Sequence, residues 1–108
     1  MRILFDQGTP APLRHALNNH EVTTALERGW QILQNGDLLL AAEAAGFEAI
    51  VTTDQNLRYQ QNLKDRRIAI LVLSTTNWPR IRKRTDLVVH AVESLNLGGY
   101  LELMIPPG

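Results

Sequence analysis

The sequence contains no cysteine, which excludes disulfide bonds, zinc–thiolate sites and thiol nucleophiles. Long apolar runs are also missing, and the longest ones are far shorter than a membrane span. The first residues show no charged segment followed by an apolar one, so we expect no signal peptide and a cytoplasmic location. A chain of 108 residues favours one domain over residues 1–108, large enough for a core without covalent staples.

The chain also has no net charge, since its formal charge at pH 7 is +0. The two signs are nevertheless separated along the sequence. Acids predominate in residues 1–57, whereas residues 58–84 carry eight basic side chains against Asp65 alone. This pattern fits a metal cleft beside a phosphate-binding surface, but it equally fits an ordinary solvated face.

Short apolar runs alternate with segments of helical character along the whole chain. The runs RILF (residues 2–5), EAIVTT (residues 48–53) and RIAILVL (residues 67–73) predict the first, third and fourth strands, with HEVTTALE (residues 20–27) as the second and YLELMI (residues 100–105) as the fifth. DLLLAAEAAGF predicts the clearest helix, with Gly46 as its stop. DQNLRYQQNL and WPRIRKRTDLVVHAVESL each predict one further helix. The order favours a three-layer α/β/α sandwich with a mainly parallel sheet of about five strands.

Aspartates follow two of the predicted strands and begin one of the helices. Asp6 ends the first strand, Asp54 ends the third, and Asp37 opens the helix between them. Ligands of open parallel sheets gather outside the carboxyl ends of the strands, so neighbouring strands would bring Asp6 and Asp54 together. Three hard oxygen ligands suit Mg²⁺ or Mn²⁺, ions that activate water for attack on phosphate. Each aspartate has a plainer alternative as a turn residue or helix cap.

Three segments together resemble the small PIN-like proteins of prokaryotes: MRILFDQGTP, NGDLLLAAEAAGFEAIVTTDQNL and RRIAILVLSTTNWPRI. Proteins of that family are metal-dependent ribonucleases, often encoded near toxin–antitoxin genes. The resemblance implies that Asp6, Asp37 and Asp54 are catalytic metal ligands for Mg²⁺ or Mn²⁺, with Thr52 beside them at the substrate. It also implies single-stranded RNA as substrate and an antitoxin from an adjacent gene as partner, and it leaves a homodimer open.

The sequence departs from this family pattern at two places. Gln7 stands where related proteins usually have a glutamate after the first strand. Beyond the strand at residues 67–73, Thr75, Thr76 and Asn77 offer no fourth carboxylate. Fewer negative ligands weaken metal binding, so the site is either incomplete until a substrate phosphate joins it or degraded.

Basic side chains near the predicted site form the candidate substrate surface. Arg58 lies one helical turn after Asp54, where it would contact phosphate or simply pair with that aspartate. The last helix begins with a basic cluster that would attract an anion. We assign substrate binding to the following residues: Thr52, Arg58, Arg80, Arg82, Lys83 and Arg84.

Two other functions compete with a ribonuclease. The first is a non-catalytic PIN-like module that binds RNA or a protein through its basic half. The second is a phosphoacceptor receiver domain, which also carries acids at strand ends but needs a lysine after the fifth strand, and this sequence has none there.

Overall fold

The computed structural model describes residues 1–57 and 66–108, and its centre is a five-stranded sheet in which every strand pair is parallel. The strand order is β2-β1-β3-β4-β5. The predicted parallel α/β fold is thereby confirmed. The strands are β1 (Arg2–Phe5), β2 (Glu21–Thr24), β3 (Ala49–Thr52), β4 (Ala69–Leu73) and β5 (Tyr100–Leu103).

Apolar side chains fill both faces of the sheet, which makes the molecule a three-layer sandwich. Successive side chains of a strand point to opposite faces. Phe5, Val51 and Leu71 accordingly belong to the core on one face, whereas Leu4 and Ile50 belong to the core on the other. The central strands are buried on both sides, which explains their uninterrupted apolar sequence.

Helices cover both faces and connect the parallel strands. A 3₁₀ helix with a proline in its first turn follows β1, and α1 covers the opposite face after β2. Within the described ranges, no helix is long and apolar enough to cross a membrane. The helical segments are the 3₁₀ helix (Ala11–Leu17), α1 (Asn35–Ala44), α2 (Trp78–Lys83) and α3 (Thr85–Ser94).

The prediction of a single last helix is wrong, because the chain forms α2 and α3 with a break at Arg84. The backbone of Arg84 has φ −133° and ψ 42°, outside the helical region. The Arg84 amide donates a hydrogen bond to the Ile81 carbonyl, the last bond of α2. The Arg84 carbonyl accepts a hydrogen bond from the Leu87 amide at 3.1 Å, the first bond of α3. The break contains neither proline nor glycine, so helical periodicity alone could not reveal it. The helix predicted over residues 54–63 falls largely outside the described residues.

The end of α1 agrees with the sequence, whereas its beginning does not. Gly46 follows the C-terminal cap with φ 88°, the left-handed conformation that glycine adopts readily. At the other end α1 begins at Asn35 with Gln34 as its cap, so Asp37 lies in the first turn and is not the cap. The alternative that Asp37 caps this helix is therefore wrong, although an acid in the first turn does suit the helix dipole.

Candidate acidic site at the carboxyl edge of the sheet

The acidic site begins where β1 and β3 end side by side. In the order β2-β1-β3-β4-β5, the second strand of the chain lies on one side of β1, whereas β3, β4 and β5 follow one another on its other side. Such a reversal leaves a crevice outside the carboxyl ends of the two strands, where doubly wound sheets bind their ligands. Asp6 follows β1, and Asp54 lies two residues after the end of β3. Both aspartates thus reach the same edge of the sheet, as the sequence predicts.

The carboxylate of Asp6 is held by two threonine side chains. Its Oδ1 accepts from the Thr9 amide at 3.1 Å and from the Thr9 hydroxyl at 2.7 Å, and its Oδ2 accepts from the Thr52 hydroxyl. The Asp6 amide continues the sheet by donating to the Val51 carbonyl at 3.1 Å. Asp6 therefore stabilises the turn after β1, as its plainer alternative proposed, and its orientation is fixed at the same time.

Thr52 links the two aspartates through one buried hydroxyl. The residue is 2% exposed, and its Oγ1 donates to Asp6 Oδ2 while accepting from the Asp54 amide at 3.1 Å. Asp54 then folds back on the following turn, because its Oδ1 accepts from the Asn56 amide at 3.0 Å. Both hydrogen bonds of this hydroxyl are made within the protein. The geometry thus gives Thr52 a role in positioning the two aspartates, whereas the sequence suggested contact with substrate.

The loops that follow β1 and β3 pack tightly against each other at Gly8. A β-carbon at this glycine would lie 2.5 Å from Thr53 Oγ1, closer than real side chains approach. A side chain at position 8 would force Thr53 to move. The two loops that carry Asp6 and Asp54 are thus in close contact.

Asp6 and Asp54 open into a cleft of about 240 Å³ that we call the acidic cleft. Among the residues that the structure describes, these two are the only charged ones in its lining. The other side chains of the lining are apolar or are the amides of Gln7, Gln31 and Gln34. The lining consists of Asp6, Gln7, Gly8, Ala25, Trp30, Gln31, Leu33, Gln34, Leu38 and Asp54.

The third predicted ligand, Asp37, does not line this cleft. It is exposed in the first turn of α1, although the preceding Gln34 and the following Leu38 both reach the cleft wall. Across residues 1–57 and 66–108, no group of three or more histidine, cysteine or acidic side chains is arranged to hold a metal ion. A metal-binding role for Asp37 stays a prediction.

The donor set of the acidic cleft fits a divalent cation through two residues. A carboxylate offers about four lone-pair positions, of which Asp6 uses three and Asp54 uses one in the bonds described above. Each aspartate thus keeps free acceptor capacity. Mg²⁺ is commonly bound by one or two carboxylates together with substrate phosphates and water. Asp6 and Asp54 are accordingly the residues that would hold Mg²⁺ or Mn²⁺ in this chain.

A second cleft of about 440 Å³ lies on the other side of the loop after β1, and we call it the apolar cleft. It shares the residues Asp6, Gln7 and Gly8 with the acidic cleft, so this loop forms a ridge between the two. Trp78 lines the apolar cleft and also packs against the core. Leu26 lies on its rim with 64% of its surface exposed.

The predicted substrate-binding cations differ in what their side chains bond. Arg80 donates to the carbonyls of Ile105 at 2.7 Å and Pro106 at 3.3 Å, which fastens the C-terminal segment to α2. Arg84 pairs with Asp86 through two hydrogen bonds, which raise the pKa of Arg84 and lower that of Asp86. Arg82 and Lys83 are exposed, while Arg58 lies outside the described residues.

An ion pair fastens the loop after β2, which contributes to both clefts. Arg14 on the 3₁₀ helix donates to Glu27 at 2.6 Å, and the Glu27 carboxylate also accepts from the Thr24 amide. The Arg14 hydrogen bond, followed by that of Thr24, lowers the pKa of Glu27 from 4.5 to about 2. The ionised form is thus favoured in the folded state.

We expect the Arg14–Glu27 ion pair to make the free energy of unfolding depend on pH in the acidic range. Because the pKa of Glu27 is lower in the folded than in the unfolded chain, its contribution is complete above about pH 4.5 and is lost as the pH falls towards 2. Urea unfolding at a series of pH values should show a smaller fall in the free energy of unfolding for Glu27→Gln than for wild type over this range. Parallel curves for the two proteins would contradict the assignment.

Comparison with known proteins gives no match for this chain among protein-family models, curated proteins or solved structures. The class of protein is therefore defined by its fold and site alone. It is a doubly wound α/β domain with two aspartates at the point where the strand order reverses.

Sequence patterns missed the side chains that complete the acidic cleft. Thr9 holds Asp6, while Trp30, Gln31 and Gln34 form much of the cleft wall. All except Thr9 lie in the segment between β2 and α1. A signal for them did exist, because the loop after the carboxyl end of β2 must run along the same sheet edge as Asp6 and Asp54.

Proposed function

We propose that this protein is a PIN-like, metal-dependent ribonuclease that cleaves single-stranded RNA. The observation that carries the proposal is the pairing of Asp6 and Asp54, which one buried Thr52 hydroxyl connects and which line a common cleft. Two carboxylates with free lone pairs form a site that a substrate phosphate completes around the metal. The bound metal supplies Lewis acidity and an activated water.

The protein's own groups act by positioning. The hydroxyls of Thr9 and Thr52 fix the carboxylate of Asp6, and the Asn56 amide fixes that of Asp54. Preorganised oxygen ligands avoid the cost of ordering them when the substrate arrives. Exposed Arg82 and Lys83 then supply positive charge for the RNA backbone outside the cleft.

The test is a titration of Mn²⁺ against cleavage of an unstructured RNA by the purified protein. We expect cleavage to rise with Mn²⁺, to stop in excess chelator and to return when Mn²⁺ is restored. Glu21→Gln is the matched control, because it removes a negative charge at the amino end of β2, on the opposite edge of the sheet. Absence of metal-dependent cleavage on every RNA would overturn the proposal.

A non-catalytic module that binds RNA through its basic residues is the second candidate. It is favoured by the lack of a third acid beside Asp6 and Asp54 among the described residues. RNA binding that persists in chelator, with no cleavage at any Mn²⁺ concentration, would select it. The basic residues act on RNA binding in both candidates, so their substitution does not distinguish the two.

We expect the exposed cations of α2 to contribute more to RNA binding than the cations that the protein already uses. Arg82→Gln and Lys83→Gln should each weaken RNA binding and reduce the slope of log affinity against log salt by roughly 0.7 for single-stranded RNA. Arg84→Gln should change that slope less, because Arg84 is paired with Asp86. Fluorescence anisotropy with labelled RNA at several salt concentrations measures these slopes. Equal effects for all three variants would contradict the ranking.

An antitoxin, if this chain is the toxin of a pair, would act by covering the clefts. Leu26 and Ile32 lie on the loop beside them and expose 64% and 82% of their surfaces.

A further inference from the structure

The lining of the acidic cleft combines two kinds of side chain. Beside the two carboxylates it holds the Trp30 indole, the apolar Leu33 and Leu38, and the amides of Gln31 and Gln34. Among the residues that the structure describes, no basic side chain lines it. The aromatic ring and the amides suit a second, neutral ligand beside a metal.

Charge determines which groups can enter. Without a metal, the two carboxylates would repel a phosphate, so a phosphate enters only together with the cation that they hold. A neutral ring meets no such barrier, and a cleft of about 240 Å³ is smaller than the roughly 300–1,000 Å³ of pockets for drug-sized ligands. One planar ring system is the occupant that fits both limits.

Trp30 offers a stacking surface that its neighbours hold in place. The Arg28 guanidinium lies over one face of its ring, 4.6 Å from the centre, and the Phe47 ring meets it nearly edge-on at 6.2 Å between centroids, so a base would stack on the face that Arg28 leaves open. Its backbone is also fixed, since the Trp30 amide donates to the Ala25 carbonyl at 2.8 Å. Unpaired bases of single-stranded RNA stack on aromatic side chains held in this way.

The amides beside Trp30 can select among bases. Gln34 stands at the cap of α1, where Ser, Thr, Asn or Asp is usual, yet its side chain makes no capping hydrogen bond. Its amide is consequently free to face the cleft that it lines. A glutamine amide pairs its donor and acceptor with those of adenine, whereas guanine is typically read by arginine or lysine, neither of which is among the described residues of the lining.

We propose that the acidic cleft binds an unpaired adenine base, stacked on Trp30 and read by Gln34, and thereby places the adjoining phosphodiester at Asp6 and Asp54. This inference rests on the proposed ribonuclease function for the identity of the ligand. Binding of the base itself needs no cleavage, and the experiment treats the two separately.

The first arm maps cleavage of an unstructured RNA in which every base occurs in many contexts. Wild-type protein in Mn²⁺ should cut next to adenine at least roughly fivefold faster than next to other bases. Gln34→Ala and Gln34→Glu should both lose this preference while still cutting RNA. Asn19→Ala, which shortens an exposed amide at the amino edge of the sheet, should keep it. Cleavage that is indifferent to the base, or equally selective in all these variants, would overturn the inference and leave the ribonuclease intact.

The second arm decides the question even if no RNA is cut. Calorimetric titration should show adenosine binding to wild type at least roughly fivefold more tightly than inosine, which lacks the amino group that the amide reads. Gln34→Ala should reduce adenosine affinity by a similar factor. Equal binding of the two nucleosides, or no binding of either, would overturn the inference.

A third titration distinguishes RNA from a free nucleoside as the source of the base. Hexa-adenylate added to Asp54→Asn protein should bind more tightly than adenosine, because its phosphates add contacts with the basic surface. Tighter binding of adenosine would overturn the assignment to RNA.

Discussion

Replacing Asp54 by asparagine should lower kcat/KM for Mn²⁺-dependent RNA cleavage at least ~100-fold, a loss of about 2.7 kcal/mol of transition-state stabilisation. The reason is charge. Asp54 supplies one of the two carboxylates that the described residues place in the acidic cleft, so the variant halves their negative charge towards a cation. Cleavage rates over a range of Mn²⁺ concentrations measure the effect, and we expect a higher Mn²⁺ requirement as well as a lower maximum.

This substitution should leave the fold unchanged. Asp54 Oδ1 accepts a hydrogen bond from the Asn56 amide, and the carbonyl oxygen of asparagine can accept the same bond. Thermal unfolding should therefore show little shift while cleavage collapses. An Asp54→Asn protein that folds and cuts RNA as fast as wild type would remove the acidic site from the mechanism.

Replacing Thr52 by valine should damage both stability and activity. Valine has the same shape, but it removes the donor to Asp6 Oδ2 and the acceptor of the Asp54 amide from a position that is 2% exposed. Leaving buried polar groups without partners costs about 1–3 kcal/mol, and more for a charged group. We expect urea unfolding to show a loss in that range and RNA cleavage to fall, because Asp6 is no longer held.

A serine at position 52 separates positioning from packing. Thr52→Ser restores the hydroxyl but loses a buried methyl group, which costs about 0.8 kcal/mol or more. It should thus recover much of the cleavage activity while remaining less stable than wild type. Thr23→Val, in the half-buried strand β2 away from the aspartates, is the control for exchanging threonine for valine in this sheet. Serine and valine variants with equal activity would show that the hydroxyl has no positioning role.

The strands and the two principal aspartates could be predicted because local sequence determines them. Apolar runs such as AILVL in β4 suit only a strand covered on both faces, and parallel strands end at a common edge. The position of Asp6 and Asp54 on that edge then follows from strand order alone. The break at Arg84 could not be predicted, because it depends on backbone geometry in a segment with continuous helical periodicity.

The rest of the site depends on contacts between residues far apart in sequence. Thr52 and Asp6 are separated by 46 positions, and no local pattern shows that the hydroxyl of one is directed at the carboxylate of the other. The charge pattern of the sequence likewise could not show which basic side chains bond to other parts of the fold. Arg80 and Arg84 belong to a basic cluster in the sequence, yet the fold uses one for backbone carbonyls and the other for Asp86.

The central claim is that Asp6 and Asp54 together hold one divalent cation, and diffraction from crystals soaked in Mn²⁺ tests it most directly. We expect one anomalous peak in the acidic cleft within coordination distance of a carboxylate oxygen of each aspartate, and no such peak in crystals of Asp54→Asn. A peak that touches neither residue, or one that persists unchanged in the variant, would contradict the account.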